Sequence, residues 1–182
     1  MGTVKSLLLG MCFVLGACTS QTSTVQTTEK GTQWEWQNGT IVVKTPERPA
    51  GQKSVLGLTT PKLEAVRVGF VGLGMRGPGA VERFTYIPGT QVVALCDYEE
   101  ARADKCQELL KKASMPKAAV YSGDKGYEEL CKRDDIDLVY IAADWLHHFP
   151  VAKCALENGK NVAIEVPSAM NLQECWDLIN LS

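Results

Sequence analysis

Three glycines follow a short apolar segment at the spacing used by phosphate-binding turns. Gly72, Gly74 and Gly77 form a G-x-G-x-x-G pattern directly after residues 66–71. In such a turn the first glycine allows a tight bend, the second lets the backbone approach a pyrophosphate, and the third lets the next helix pack closely. The N-terminus of that helix offers N–H groups to the phosphates. The pattern predicts a dinucleotide site, with a purely structural turn as the alternative.

An acidic residue ends the next apolar segment. Residues 92–95 are apolar and lead to Asp97, about 20 residues beyond Gly77, where the carboxylate that binds the adenosine ribose is expected. That charge repels a 2′-phosphate, so Asp97 favours NAD over NADP. The alternative is that Asp97 caps the helix that begins near Glu99. Within the glycine turn, Met75 and Arg76 are also candidates, and Arg76 either reaches a ribose or phosphate or stays solvated.

Strand and helix patterns alternate along residues 66–182. Strands are predicted at 66–71, 91–96, 119–121, 138–142 and 161–164. Helices are predicted at about 78–87, 99–113, 126–132 and 149–157, with a last helix capped by Asn171. Right-handed crossovers turn this alternation into an α/β fold with an open, doubly wound parallel sheet, a Rossmann-type NAD-binding domain.

In such a sheet ligands bind at the carboxyl ends of the strands. The fourth and fifth strands therefore add candidate site residues: Trp145, Leu146, His147, His148, Glu165 and Val166. The first four can line a nicotinamide-ribose pocket, and Glu165 can bind a ribose or sugar hydroxyl. The alternatives are that His148 caps or packs against the next helix and that Glu165 is a surface residue. Adjacent histidines rarely bind one ion, so no metal is predicted.

Together these motifs resemble the Gfo/Idh/MocA superfamily of sugar-handling oxidoreductases. The resemblance rests on the glycine turn, Asp97, His148 placed eleven residues before Gly159, and the Glu-x-Pro at 165–167. The superfamily usually has Glu-Lys-Pro, whose lysine assists proton transfer at the hydroxyl being oxidised, but this chain has Val166. With that departure, residues 67–81, 94–97, 145–148 and 165–168 resemble one branch, glycoside hydrolase family 109, the NAD-dependent α-N-acetylgalactosaminidases. The similarity covers roughly residues 45–182, the N-terminal part of a family member.

The resemblance also implies a chemistry. In that branch a tightly held NAD takes a hydride from sugar C3, the C1 substituent leaves by elimination, water adds, and the hydride returns. The resemblance implies that residues 75–76, 97, 145–148 and 165–166 contact NAD. It implies a carbohydrate substrate with a terminal α-linked N-acetylgalactosamine, and places the groups acting at C2 and C1 in a second domain, so no catalytic residue is predicted here. The alternatives are an NAD-dependent sugar oxidoreductase or an inactive NAD-binding fragment.

Residues 1–18 resemble a bacterial lipoprotein signal. Lys5 precedes an apolar stretch too short to span a bilayer, and small residues precede Cys18. The resemblance implies export, lipidation of Cys18, and an anchor in a bacterial membrane, with the outer membrane or cell surface favoured. An ordinary cleaved signal and a periplasmic protein are the alternative. Residues 19–65 are predicted to be a flexible tether followed by an extended, turn-rich arm.

Composition and chain end add further expectations. The net charge of −2 suggests no nucleic-acid surface. The cysteines beyond residue 18 lack a C-x-x-C spacing, so they are expected to pack as small hydrophobic side chains rather than to hold zinc. Ser182 closes the chain within a helix-like segment. We therefore expect a truncated chain whose residues 66–182 form the dinucleotide-binding domain, without the substrate domain.

Overall fold

The computed structural model describes residues 26–27, 33–44, 47–52, 57 and 59–182. The signal-like segment at residues 1–18, with Cys18, lies outside the described residues. No helix in the described part of the chain is long and apolar enough to cross a membrane.

A small antiparallel sheet forms within the residues predicted to be a flexible tether and an extended arm. It contains β1 (Gln26–Thr27), β2 (Gln33–Gln37) and β3 (Thr40–Val43), paired in that order. The turn between β2 and β3 is Asn38-Gly39, and both residues have positive φ, 50° and 80°. Asparagine and glycine accept this backbone, which two-residue hairpin turns need. The predicted arm, residues 34–65, thus contains a hairpin, and Asn38-Gly39 was the signal for its turn.

A parallel sheet with helices on both faces forms the rest. Its strands are β4 (Val66–Val71), β5 (Thr90–Asp97), β6 (Ala119–Ser122), β7 (Leu138–Ile141) and β8 (Asn161–Ile164). The helices are α1 (Gly77–Phe84), α2 (Glu100–Lys112), α3 (Gly126–Cys131), α4 (Trp145–Glu157) and α5 (Leu172–Leu181). The strand order is β6-β5-β4-β7-β8, with every neighbouring pair parallel. This confirms the predicted doubly wound fold.

The central strands are buried on both faces, as their apolar sequences predict. Phe70 and Leu95 point to the side covered by α1 and α2, where they share a cluster with Ala80 and Leu110. On the opposite side, Ile141 packs with residues of α3 and α4. The two layers of helices thus hold the strands in place and leave the carboxyl ends of the sheet as one edge.

Two helix boundaries differ from the prediction. Helix α4 begins at Trp145 rather than Phe149, because Asp144 caps it by accepting a hydrogen bond from the Leu146 N–H at 3.0 Å. Residues 145–148 therefore form its first turn rather than a loop. The last helix agrees with the prediction, since Asn171 accepts from the Glu174 N–H at 3.0 Å.

The end of α1 is the second difference. The helix ends at Phe84, about three residues earlier than predicted. The next amides bond only three residues back, as Tyr86 N–H does to the carbonyl of Arg83 and Ile87 N–H to that of Phe84. This is a tighter turn than an α-helix, and it leads directly into Pro88-Gly89.

Candidate cofactor-binding site

A cleft of about 1160 Å³ opens at the carboxyl ends of the strands. It brings together nearly all of the predicted site residues: Gly72, Gly74, Met75, Arg76, Asp97, Trp145, Leu146, His147, His148, Glu165 and Val166. The remaining one, Gly77, is buried beneath the turn. Segments far apart in sequence meet here because parallel strands place their carboxyl ends at the same edge.

The three glycines of the turn do different work. Gly72 has φ +90°, and a Cβ there would lie 2.3 Å from the Ala143 nitrogen. A Cβ on Gly77 would lie 2.1 Å from the Gly72 carbonyl oxygen. At Gly74 the nearest described atom would be Arg102 Nη1, at an ordinary 3.6 Å. Gly72 and Gly77 are thus needed by the fold, whereas the open space beside Gly74 fits a ligand that approaches the backbone.

The first turn of α1 is suited to an anion. Among the described residues, no side chain caps this helix, and its first turn contains no acidic residue. Its N-cap, Arg76, is exposed. Uncapped N–H groups, the positive end of the helix dipole and a nearby guanidinium all favour a phosphate. The turn and the helix therefore fit the pyrophosphate of a dinucleotide.

Asp97 binds the protein backbone on both of its oxygens. It is 6% exposed, and Oδ2 accepts from the Leu73 N–H at 2.6 Å while Oδ1 accepts from the Glu99 N–H at 3.0 Å. The carboxylate thus ties the glycine turn to the start of α2, which is close to the predicted capping alternative. A carboxylate has further lone pairs, so the ribose contact stays a prediction.

A cleft residue that the sequence analysis did not identify is Arg102. It lies in the first turn of α2, and its Nη1 and Nη2 lie 3.3 Å from Asp97 Oδ1 and 3.0 Å from Glu99 Oε1. Its side chain is 41% exposed and borders the cleft. The available signal was a cation near the N-terminus of a helix, where the dipole disfavours it.

The end of β6 was also missed. Gly123, Asp124 and Tyr127 border the cleft, and they follow β6 or open α3. Applying the strand-end rule to the third predicted strand would have identified this segment.

The first turn of α4 presents both a polar and an apolar surface. Burial opposes ionisation of Asp144, but hydrogen bonds from His147 and the Leu146 N–H outweigh it and lower the pKa of that carboxyl group. His147 Nδ1 lies 2.6 Å from Asp144 Oδ2. Trp145 and Leu146 are 60% and 73% exposed. Both therefore offer apolar surface to a ligand in the cleft.

His148 has a structural role beside the cleft, and its predicted cofactor contact stays a prediction. Although it borders the cleft, its side chain is 2% exposed. Nδ1 lies 2.7 Å from the Pro167 carbonyl oxygen and Nε2 lies 2.9 Å from that of Ala143. Carbonyl oxygens only accept, so the ring donates to the carbonyl that faces a nitrogen carrying hydrogen. The ring braces the ends of β7 and β8, in line with the packing alternative.

Glu165 and Val166 form the last wall of the cleft. The Tyr140 hydroxyl donates to Glu165 Oε1 at 2.9 Å, and burial together with this carboxylate raises the pKa of Tyr140. Val166 is 82% exposed beside it. The wall thus pairs one oriented carboxylate with an aliphatic side chain that cannot exchange a proton.

In the part of the chain that the structure describes, the thiol beside the cleft is that of Cys96. Burial, with a contribution from Asp97, raises the pKa of Cys96 to about 12. The thiol that borders the cleft is therefore protonated at neutral pH and unreactive. Cys106 and Cys131 are also buried, which confirms the predicted packing for them, whereas Cys175 is exposed. Among the described residues, no group of three or more His, Cys, Asp or Glu side chains can hold a metal ion.

The chain is similar in sequence to bacterial proteins named as glycosyl hydrolases. It is 79% identical over its whole length to glycosyl hydrolase family 109 proteins 4 and 5 of Phocaeicola vulgatus, covering 36% and 35% of them. It is 56% identical over 98% of its length to family 109 protein 1 of Bacteroides thetaiotaomicron, covering 37%. These relatives confirm the predicted resemblance to family 109. The chain spans about a third of the length of the curated relatives it matches.

Solved structures of sugar and pigment oxidoreductases are similar in fold. One is myo-inositol dehydrogenase from Lactobacillus casei in complex with NAD(H) and myo-inositol, at 25% identity and TM-score 0.56, covering 64% of this chain and 33% of that chain. Another is biliverdin reductase from Synechocystis with biliverdin and NADP⁺, at 28% identity and TM-score 0.54, covering 64% and 34%.

The family assignment rests on residues 66–182, which include the whole parallel sheet and the residues that border the cleft. These residues match the model of the oxidoreductase family with an NAD-binding Rossmann fold. This match confirms the prediction of NAD as the cofactor, and the glycine turn fits its pyrophosphate. The chain therefore belongs to the Gfo/Idh/MocA oxidoreductase family and contains its NAD-binding domain.

Proposed function

We propose that this chain is the cofactor-binding part of an NAD-dependent glycosidase that removes terminal α-linked N-acetylgalactosamine. When bound, NAD supplies a hydride acceptor and donor for a sugar carbon. The proposal is supported by 79% identity to proteins named glycosyl hydrolase family 109. Because the chain spans 36% of that relative, the proposed activity is assigned to the full-length protein.

The residues of this chain bind and orient the cofactor. The turn at 72–77 holds the pyrophosphate against the first N–H groups of α1, and Asp97 accepts from a ribose hydroxyl. At the other end of the cleft, Trp145 and Leu146 exclude water from the nicotinamide ribose. Glu165, oriented by Tyr140, accepts a hydrogen bond from a ribose or sugar hydroxyl. Such positioning is the protein's contribution when a cofactor carries the chemistry.

The observation that favours a glycosidase over a dehydrogenase is the exposed valine in the cleft. Val166, 82% exposed, stands where the wider superfamily usually has the lysine that assists proton transfer. A valine cannot accept a proton from the hydroxyl being oxidised. The second candidate is an NAD-dependent sugar or polyol oxidoreductase, favoured by the 25% identity to the myo-inositol dehydrogenase structure with NAD(H) and myo-inositol.

The two candidates differ in what accumulates. With an aryl α-N-acetylgalactosaminide and the full-length protein, a glycosidase releases the sugar without net formation of NADH. An oxidoreductase forms NADH in proportion to the sugar consumed and releases no N-acetylgalactosamine. Stoichiometric formation of NADH without release of N-acetylgalactosamine would contradict the glycosidase proposal.

A substitution at the valine separates the same two candidates. Val166→Lys is expected to add little to glycosidase turnover, but to increase sugar oxidation in an oxidoreductase. Val166→Leu is the matched control, since it changes volume without adding a proton acceptor. A gain in NADH formation with lysine alone would favour the oxidoreductase.

We also propose that the protein is exported and anchored in a bacterial membrane through a lipid on Cys18. The signal-like sequence of residues 1–18 supports this proposal. Labelling cells with an alkyne fatty acid tests it, and the label is expected on the wild type and lost in Cys18→Ser. Cys12→Ser, within the same segment, is the control that should keep the label. Label retained in Cys18→Ser would contradict the anchor.

A further inference from the structure

We propose that one face of the hairpin formed by β2 and β3 docks on the surface of the membrane that holds the lipid anchor. This tryptophan face consists of Trp34, Trp36, Ile41 and Val43. Its exposed pair, Trp36 and Ile41, enters the interfacial layer of the bilayer. The inference rests on the proposed lipidation of Cys18, and it is independent of the proposed cofactor and substrate.

The hairpin has one apolar face and one polar face. Successive side chains of a strand point to opposite faces, and the register of β2 with β3 places the four residues of the tryptophan face on one side. On the other side, the side-chain amide of Gln37 donates a hydrogen bond to the carboxylate of Glu35. The hairpin is therefore amphipathic and can bury one face while the other remains in water.

The part of the tryptophan face beside the hairpin turn is uncovered. Trp36 and Ile41 are 56% and 53% exposed, and in the described part of the chain neither belongs to a buried cluster. The neighbouring Gln37 and Thr40 are exposed polar residues. Adjacent exposed apolar side chains with a polar rim are typical of a surface that binds a protein or a membrane, and their burial is favourable.

The length of chain between the anchor and the hairpin favours the bilayer as the partner. Strand β1 begins at Gln26, eight residues after Cys18, and eight residues span at most about 29 Å. Gln26 is aligned with Trp34 in the neighbouring strand β2. Because neighbouring strands lie about 4.8 Å apart, a lipid on Cys18 keeps the tryptophan face within about 40 Å of the bilayer surface.

The residue types of the exposed pair suit the membrane interface. Tryptophan is enriched there, because its ring is apolar while its N–H group reaches the headgroup layer. Ile41 lies opposite Trp36 and adds aliphatic surface to it. Attachment through Cys18 makes docking an intramolecular event, for which a small contact area is sufficient. A lipid together with a second membrane contact also anchors a protein more stably than one lipid chain alone.

The experiment places the lipidated full-length protein, purified from cells, in vesicles of phosphatidylethanolamine and phosphatidylglycerol with or without bromine on the acyl chains. Bromine quenches tryptophan fluorescence only at close range, so quenching reports an indole ring in the bilayer. We expect the wild type to be quenched and Trp36→Phe to lose most of that quenching. Phenylalanine keeps the apolar surface, and the comparison removes the contribution of every other tryptophan.

Two serine variants in β3 test which face docks while Trp36 remains as the reporter. Ile41→Ser removes apolar surface from the tryptophan face and should reduce the quenching. Val42→Ser is the matched control, because Val42 is 38% exposed and lies on the opposite face of the same strand. It should leave the quenching unchanged. Equal melting temperatures of the two variants would exclude unfolding of the hairpin as the cause of the difference.

Failure of the inference is distinguishable from failure of the proposed anchor. A lipidated protein that is not quenched, or that is quenched equally in wild type and Trp36→Phe, overturns the inference alone. The absence of quenching is also the result expected if the tryptophan face packs on the rest of the full-length protein or on a second copy. A protein that takes up no fatty-acid label on Cys18 overturns the anchor, and the inference with it.

Discussion

The two edges of the parallel sheet each hold an aspartate beside an arginine, but the pairs are built differently. At the amino edge, Arg67 Nη2 and Nε lie 2.6 and 2.9 Å from the Asp137 carboxylate, and the Arg67 N–H donates to it at 2.8 Å. At the carboxyl edge, backbone N–H groups bind Asp97 and the Arg102 contact is 3.3 Å. The first pair is bidentate, whereas in the second the guanidinium is shared between Asp97 and Glu99 and borders the cleft.

The two ion pairs are therefore expected to have different roles, one in the stability of the fold and the other in ligand binding. The bidentate pair joins the start of β4 to the start of β7, and it lies away from the cleft. The looser pair connects the glycine turn to α2 within the cleft. In open α/β sheets ligands bind at the carboxyl edge, so substitutions at the amino edge should change stability without changing dinucleotide affinity. Variants at the two edges can test that separation.

The largest expected effect is that of Gly72→Ala. The substitution combines a strained positive φ with a Cβ 2.3 Å from backbone, so we expect a loss of about 3 kcal/mol or more of unfolding free energy. Gly74→Ala is the matched variant, because its Cβ meets an ordinary 3.6 Å contact. It should keep the melting temperature and lose NAD affinity. Equal melting temperatures for the two variants would contradict these separate roles.

The next effect concerns the brace between β7 and β8. His148→Leu removes the ring nitrogens from two carbonyl oxygens, so a buried hydrogen bond is lost, and it is expected to cost about 1–3 kcal/mol of unfolding free energy. NAD affinity should fall as well, since the Glu165–Pro167 segment loses its attachment. His147→Leu, at a side chain 53% exposed, is the control and should change stability little. Chemical denaturation with a parallel NAD titration checks both.

A smaller effect is expected at the amino edge. Hydrogen bonds from Arg67 lower the pKa of Asp137, so the pair stabilises the fold above the unfolded pKa of about 3.9. That contribution is lost as the pH falls through the lower folded value. Asp137→Asn should cost about 1 kcal/mol at neutral pH, discounted because Arg67 is 38% exposed.

Melting temperatures measured against pH test the sign. The difference between wild type and Asp137→Asn should be constant above the unfolded pKa and should shrink in stronger acid. NAD affinity at neutral pH should be unchanged. A difference that grows on acidification, or a loss of NAD affinity, would contradict the assignment of this pair to stability alone.

The smallest effect is expected for Tyr140→Phe. The ring still packs against Phe70, whose centroid lies 5.2 Å away, and one hydrogen bond to Glu165 is lost. We expect about 1 kcal/mol or less in stability and a modest loss of NAD affinity through a less ordered Glu165. Glu165→Gln keeps an acceptor for the tyrosine and serves as the comparison. Affinity unchanged in both variants would remove Glu165 from the binding site.

Much of the fold was predictable because it depends on neighbours along the chain. The apolar runs of β4 and β8 match the structure residue for residue, and the glycine spacing located the turn. Where the prediction differed, a competing local signal decided the structure. The fourth helix was predicted to start at residue 149, although Asp144 was its cap, and Asn38-Gly39 was not recognised as a hairpin turn within the predicted arm.

The sequence by itself determined the alternation of strands and helices, the glycine turn and the carboxylate that follows β5, since these depend on local backbone geometry and periodic burial. Only the tertiary structure decided which side chains line the cleft, how buried each one is and which hydrogen bonds it makes. Parallel pairing carries Arg102 to Gly74, and the crossover through α4 places His148 between two carbonyl oxygens. The contacts of Arg102 with Gly74 and of His148 with Pro167 join residues well separated in the chain, so they become known only once the sheet has formed.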